Sequence, residues 1–206
     1  MNRLEELEQE AREEHIPVMM EDGLAFLCSY IESHPEIRKI LEAGTAVGVS
    51  AMRMAGVRED IVIDTLEVNE EMYRQAAENI AQAGLSERIR VHLGDAAEYE
   101  TDEVYDLFFI DAAKSQYRNY LEHFMKNTHR NSVFVFDNLN FHGIVDDPSL
   151  SHNRSTLQMT RKIKRFRDWL MVEPRFAVTY YKETGDGVAV ARVIRDYPGY
   201  RKNTGI

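Results

Sequence analysis

The chain has a single cysteine, Cys28, and no apolar run near the roughly 18 residues needed to cross a bilayer. The first shortage excludes an internal disulfide and a cysteine-built metal cluster. Cys28 falls on an apolar helical stripe and reads as a core residue. The second excludes a membrane span. Residues 1–14 carry six glutamates where a secretory leader has an apolar centre, so a cytoplasmic protein is expected. Positive charge is short as well: 25 Lys and Arg stand against 35 Asp and Glu, a net charge of −10. That excludes a generally basic coat for nucleic acid but not a local patch. Glycine is missing where a dinucleotide fingerprint needs it. Read from Gly44, Gly-x-Gly-x-x-Gly requires glycine at Ala46 and Val49, so two of three are absent and a pyrophosphate loses its closest backbone approach.

What is present begins with Ile40-Leu-Glu-Ala-Gly-Thr-Ala-Val-Gly-Val-Ser50. An apolar lead-in at 37–41 enters a Gly44-x-x-x-Gly48 turn, and a helical pattern comes next with Ala51, Met52, Met54 and Ala55. A strand, a tight turn and a helix N-terminus put free N–H groups beside a ligand. A ligand without phosphate, with an amino-acid end and a nucleoside end, fits; S-adenosylmethionine is one, and Glu42 at the strand end suits its ammonium group.

The 206 residues suit one domain. Residues 1–15 read as a helix with Leu4, Leu7 and Ala11 on one stripe, broken at Pro17. A second helix places Leu24, Leu27, Cys28 and Ile31 at i, i+3, i+4 and i+7 and ends near His34-Pro35. Residues 1–35 are thus expected to form a helical cover. Residues 61–67 read as a strand ending in Glu67, which lies 23 positions beyond Gly44, near the ~20-residue offset of ribose-binding acids. Asn69 caps the next helix and Gly84 lies past its end. A strand over 88–93 delivers Gly94-Asp95-Ala96, where Asp95 either holds an adenine amino group or caps the next stretch of chain. Residues 104–111 are apolar until Asp111. After Lys114, a helix carries Tyr117, Tyr120, Leu121, Phe124 and Met125 as core positions, not as a cofactor box. Residues 131–136 form a fifth strand ending in Asp137-Asn138.

Strands alternating with helices predict an α/β fold, a doubly wound and mainly parallel sheet with helices on both faces and ligands at the strands' carboxyl ends. Residues 139–171 are an insertion, a loop and then a helix with Arg154, Arg161, Lys162, Lys164, Arg165 and Arg167. In so acidic a chain this is a candidate phosphate-contacting face. Residues 175–182 and 187–194 close the chain as an antiparallel hairpin across Thr184-Gly-Asp-Gly187, and a loose tail is expected after Tyr197.

Six marks in order, Leu41–Ser50, Glu67, Gly94-Asp95-Ala96, Ile110-Asp-Ala-Ala-Lys114, Phe136-Asp-Asn138 and Gly185-Asp-Gly187, resemble a Rossmann-like class I methyltransferase. More narrowly, the chain resembles the metal-dependent O-methyltransferases typified by caffeoyl-CoA and catechol O-methyltransferases. His15-Ile-Pro-Val-Met19 and the basic stretch before Trp169 are similar to bacterial tRNA 5-hydroxyuridine methyltransferases, which make 5-methoxyuridine at the wobble position. The resemblance implies transfer of a methyl group from S-adenosylmethionine. Glu42, Gly44, Thr45 and Ser50 would hold its methionine end, Glu67 the ribose, Asp95 and Ala96 the adenine, and Met19 would close over it. Asp111, Asp137 and the Asn138 oxygen form an all-oxygen set suited to Mg²⁺ or another divalent cation, with Asp111 bordering the cofactor too. Lys114 would take the acceptor's proton or stabilise its oxyanion. Arg154, Arg161, Lys162, Lys164 and Arg165 are the candidate tRNA contacts. A small hydroxylated aromatic of catechol type, or another small vicinal diol, is the alternative acceptor, and a non-catalytic, cofactor-sensing RNA-binding protein a third reading. A homodimer is implied by the resemblance alone.

Overall fold

The computed structural model describes residues 3–14, 16 and 18–194. The expectations on His15, Pro17 and the tail after Tyr197 lie outside the described residues. Seven strands form one sheet in the order β3-β2-β1-β4-β5-β7-β6. They are β1 (Lys39–Ala43), β2 (Val62–Glu67), β3 (Ile89–Leu93), β4 (Leu107–Ile110), β5 (Val133–Phe136), β6 (Phe176–Tyr181) and β7 (Val188–Val193). The first five run parallel, and β7 lies antiparallel between β5 and β6.

Alternation along each strand builds two cores. Ile40, Ile63, Leu107, Phe109, Val133 and Val135 face one way, toward α1 (Arg3–Glu13), α2 (Glu21–Ser33) and α3 (Val49–Val57), joined by Ile80 of α4 (Glu70–Gln82). Leu41, Ala43, Phe108, Ile110, Phe134 and Phe136 face the other way, toward α5 (Tyr117–Phe124) and α6 (Arg154–Leu170). A period of two forces consecutive side chains onto opposite faces, so continuously apolar strands need cover on both. The helices supply it.

Several boundaries move. The first strand occupies 39–43 rather than 37–41, which leaves Ile37 as a buried residue of the preceding loop. The fourth begins at Leu107 because Asp106 turns aside to accept hydrogen bonds from the N–H groups of Arg38 and Lys39, both at 2.8 Å. Lys114 opens a short 3₁₀ turn, Lys114–Gln116, and Met125 opens another after α5. The six cations of α6 do not share one fate. Arg167 is buried, its guanidinium paired with Asp146 and donating to the Leu139 carbonyl at 3.3 Å. It lies in register with Ile163, Phe166 and Leu170 on the packed stripe, a placement the i, i+3, i+4, i+7 spacing already carried.

Candidate active site

The chain reverses its winding direction between β1 and β4, and a cavity of about 400 Å³ opens there at the carboxyl ends of β1 to β4. Gly44 makes the opening possible. Its φ is +101°, and an added Cβ would run into the Asp111 carbonyl, so only glycine lets the two loops approach. Thr45, Ser50, Glu67, Asp95, Ala96, Asp111 and Met19 line the cavity beside Gly44. Glu67 is anchored before any ligand arrives: Oε2 accepts the Ala46 N–H and Oε1 the Asn69 N–H, both at 2.9 Å. Asp95 does act as a turn cap, accepting the Ala97 N–H at 2.9 Å, while still bordering the cavity.

Glu42 differs from its expected place. It is fully buried, is not among the lining residues, and accepts Ser50 Oγ and Thr65 Oγ1, each at 2.5 Å. Burial pushes its carboxyl up to about 7 against the pull of those two hydroxyls. It holds Ser50 from behind. The walls also use Val18, Val68, Met72 and Tyr120, which sequence reasoning did not assign to a site. Tyr120 is both a core residue, as its spacing predicts, and a wall of the cavity. Val68 shows its role only in the structure, as an apolar side chain 71% exposed directly after the strand-end Glu67.

The second half of the site gathers at the ends of β4 and β5. Lys114 Nζ donates to Asp111 Oδ1 at 3.2 Å and to Asn138 Oδ1 at 2.5 Å, so these two oxygens converge with the ammonium between them. Asp137 is completely buried, and neither carboxylate oxygen has a hydrogen-bond partner among the described residues. Burial first, and then the charge of Asp111, raise its carboxyl to about 7. Asp111 is raised by burial too, with Lys114 opposing. The described residues contain no group of three His, Cys, Asp or Glu that could hold a metal ion. The oxygen set here is two carboxylates and one carboxamide. An unpartnered buried carboxylate beside a second carboxylate is the environment a cation relieves, so these residues fit a divalent ion.

The helix α6 carries Arg154, Arg161, Lys162, Lys164 and Arg165 on its exposed side, with Lys164 paired to Asp168 at 2.7 Å. No helix among the described residues is long and apolar enough to cross a membrane.

Comparison with known proteins agrees with this geometry. A structure assigned as a caffeoyl-CoA O-methyltransferase from Staphylococcus aureus superposes with a TM-score of 0.87 at 30% identity, covering 92% of this chain and 91% of that one. An O-methyltransferase from Bacillus cereus in complex with SAH gives a TM-score of 0.78 at 29% identity, covering 94% and 91%. A protein assigned as an O-methyltransferase in Mycolicibacterium vanbaalenii is 43% identical over 81 residues, 37% of this chain; the match spans only 36% of that relative's length. The family model described as O-methyltransferase matches residues 1–194. The chain belongs to the O-methyltransferase family, S-adenosylmethionine-dependent enzymes built on this fold.

Proposed function

We propose that this protein moves the methyl group of S-adenosylmethionine to a hydroxyl oxygen, with a divalent cation such as Mg²⁺ held by Asp111, Asp137 and Asn138. The observation that carries the reading is Asp137, a buried carboxylate with two unpartnered oxygens at the tip of the strand next to Asp111. In the transfer the S–CH₃ bond breaks as the O–CH₃ bond forms, and the hydroxyl proton is released. A bound cation supplies positive charge that lowers the hydroxyl's pKa. The cavity's residues orient the donor, with Glu67 toward the ribose, Asp95 and Ala96 toward the adenine, and Thr45 and Ser50 toward the methionine end. Met19, Leu24 and Val49 exclude water from the reacting centre. Lys114 Nζ, between Asp111 and Asn138, shields the oxyanion as an ammonium, or receives the proton when it enters the reaction as the neutral amine.

For the acceptor we favour 5-hydroxyuridine at the wobble position of tRNA. Arg154, Arg161 and Arg165 lie at i, i+7 and i+11 of α6, one exposed stripe suited to phosphates. A small hydroxylated aromatic is the second reading, favoured by the name of the Staphylococcus relative. Incubation with methyl-labelled S-adenosylmethionine, hydroxylated tRNA and catechol in parallel separates them. Label on the tRNA alone, lost with EDTA, is the expected result. Label on catechol alone reverses the acceptor, full transfer in EDTA removes the cation, and no transfer to either removes the reading.

A further inference from the structure

Asp186 belongs to the Gly185-Asp-Gly187 turn between β6 and β7, and neither donor nor acceptor chemistry gives it work. It is 4% exposed. Around it runs the segment that leaves the Asp137-Asn138 pair. Asp186 Oδ1 accepts the His142 N–H at 2.6 Å and its carbonyl accepts the Asn140 N–H at 2.8 Å, while the Gly187 carbonyl accepts the Leu139 N–H at 2.9 Å. That segment needs holding. Asn138, Phe141 and His142 have φ of 57°, 45° and 54°, a left-handed backbone that non-glycine residues adopt only at an energetic cost.

The side chain of Asn138 is caught between two charges of opposite sign. Its Nδ2 meets Asp186 Oδ2 at 3.5 Å, the outer edge of hydrogen bonding, and its Oδ1 accepts Lys114 Nζ at 2.5 Å. His142 Nδ1 lies 3.7 Å from the same Asp186 oxygen. A carboxamide has one donating and one accepting end. Turned over, it would set NH₂ against ammonium and carbonyl against carboxylate. The turn carrying Asp186 is itself pinned from the far side, where the Gly185 N–H donates to Asp22 Oδ2 at 2.8 Å.

We propose that Asp186 is a positioning residue for the transfer, holding Asn138 so that its carboxamide oxygen, and not its NH₂, faces Lys114 and the cation position. This rests on the proposed function for what that oxygen serves. The orientation itself can be read without donor, acceptor or metal.

The test monitors the Asn138 side-chain amide resonances in ¹⁵N-labelled full-length protein, identified by their absence in Asn138→Asp. In the wild type they are expected to be protected from exchange. In Asp186→Asn and Asp186→Ala they move toward free-amide positions and lose about tenfold or more of that protection. Titration with Mn²⁺ alone gives the second readout. Its Kd should rise about 10- to 100-fold, as when other outer partners of metal ligands are lost, in both Asp186→Asn and Asp186→Glu, with S-adenosylmethionine affinity retained. Asn138 resonances unmoved in Asp186→Asn overturn the proposal. So does an Mn²⁺ affinity that Asp186→Glu preserves, because charge alone would then suffice, and so does parallel loss of the fold and of donor binding in every variant. A wild type that binds S-adenosylmethionine but no Mn²⁺ defeats the cation reading above, and the resonances still decide Asp186.

Discussion

Asp106, just ahead of β4, and Asp137, just after β5, sit at opposite ends of adjacent strands, and their surroundings treat them oppositely. Asp106 accepts hydrogen bonds from the Arg38 and Lys39 N–H groups and from His129 Nε2, all at 2.8 Å. Burial alone would raise its carboxyl, but these donors outweigh burial and hold it below the usual range. Asp64, inside β2, is held down in the same way by His92 and Tyr105 against burial. At the carboxyl ends Glu42, Asp111 and Asp137 are raised. Asp106 and Asp64 are satisfied by their donors and add stability; Asp137 has no hydrogen-bond partner among the described residues, which costs stability and keeps it available to a ligand.

The hardest test of that contrast is Asp137→Asn. Methyl transfer should fall by about a hundredfold or more, with S-adenosylmethionine binding kept in calorimetry. Stability should nevertheless rise at pH 8, by roughly 1–3 kcal/mol, because a buried charge without partners is gone. The sign comes from linkage. A folded carboxyl near 7 binds protons that the unfolded one, near 3.9, has released. Wild-type stability therefore declines as pH climbs through that window, and the variant loses that contribution to the slope. Urea unfolding at pH 5 and pH 8 reads both. A variant less stable than the wild type at pH 8 would mean that Asp137 has stabilising partners after all.

Gly23→Ala tests whether the cover helix and the site behave as one body. A Cβ there would sit 2.9 Å from Met19 Cε and 3.3 Å from the Gly185 Cα. The methionine tip can move, but backbone cannot, so α2 must lift from the turn that carries Asp186. A loss of about 1–3 kcal/mol is expected, together with weaker donor binding through Met19, which lines the cavity. Unchanged donor affinity with lowered stability would separate the cover from the site.

Much of this was legible because β-strands alternate and because nearly every strand stops on a polar residue its apolar body does not predict. That pattern carries the parallel sheet, and it singles out Glu67, Asp111 and Asp137 as candidates at the strand ends. What sequence did not carry were pairings across long separations. Lys114 reaches Asn138 across 24 positions and Arg167 reaches Asp146 across 21, and neither spacing obeys a local period. A strand-end acid often faces a ligand, and that is the ground for expecting Glu42 at the methionine end. Its partner Thr65 lies on the neighbouring strand in direct register, and the carboxylate is buried accepting that hydroxyl, outside the cavity lining.

At the satisfied end the effects should be smaller and opposite in their response to acid. Burial opposes the rise in His129, but the Asp106 hydrogen bond is the larger influence and raises it. Its contribution is complete below about 6.5 and fades as pH rises through the elevated folded value. The Asp106 contribution is complete above about 3.9 and fades as pH falls through its lowered one. Both are complete together only between those limits. His129→Gln should cost about 1 kcal/mol near pH 5.5 and clearly less at pH 9, as read by urea unfolding. An equal cost at both values would reduce the pair to packing.

The least change in stability belongs to the exposed side of α6. Reversing Arg161, Lys162 and Arg165 to glutamate alters side chains that pack against nothing buried, so the melting midpoint should shift by no more than the equivalent of about 0.5 kcal/mol per substitution. Labelled methyl transfer is where these changes should register. If tRNA is the acceptor, its methylation collapses and its residual binding loses part of its salt dependence, since each lost cation leaves fewer counterions released from the phosphates. If a small aromatic is the acceptor, turnover is untouched. A variant with intact stability, intact donor binding and intact transfer would assign the basic stripe to solvent and leave the chemistry at Asp137 where it stands.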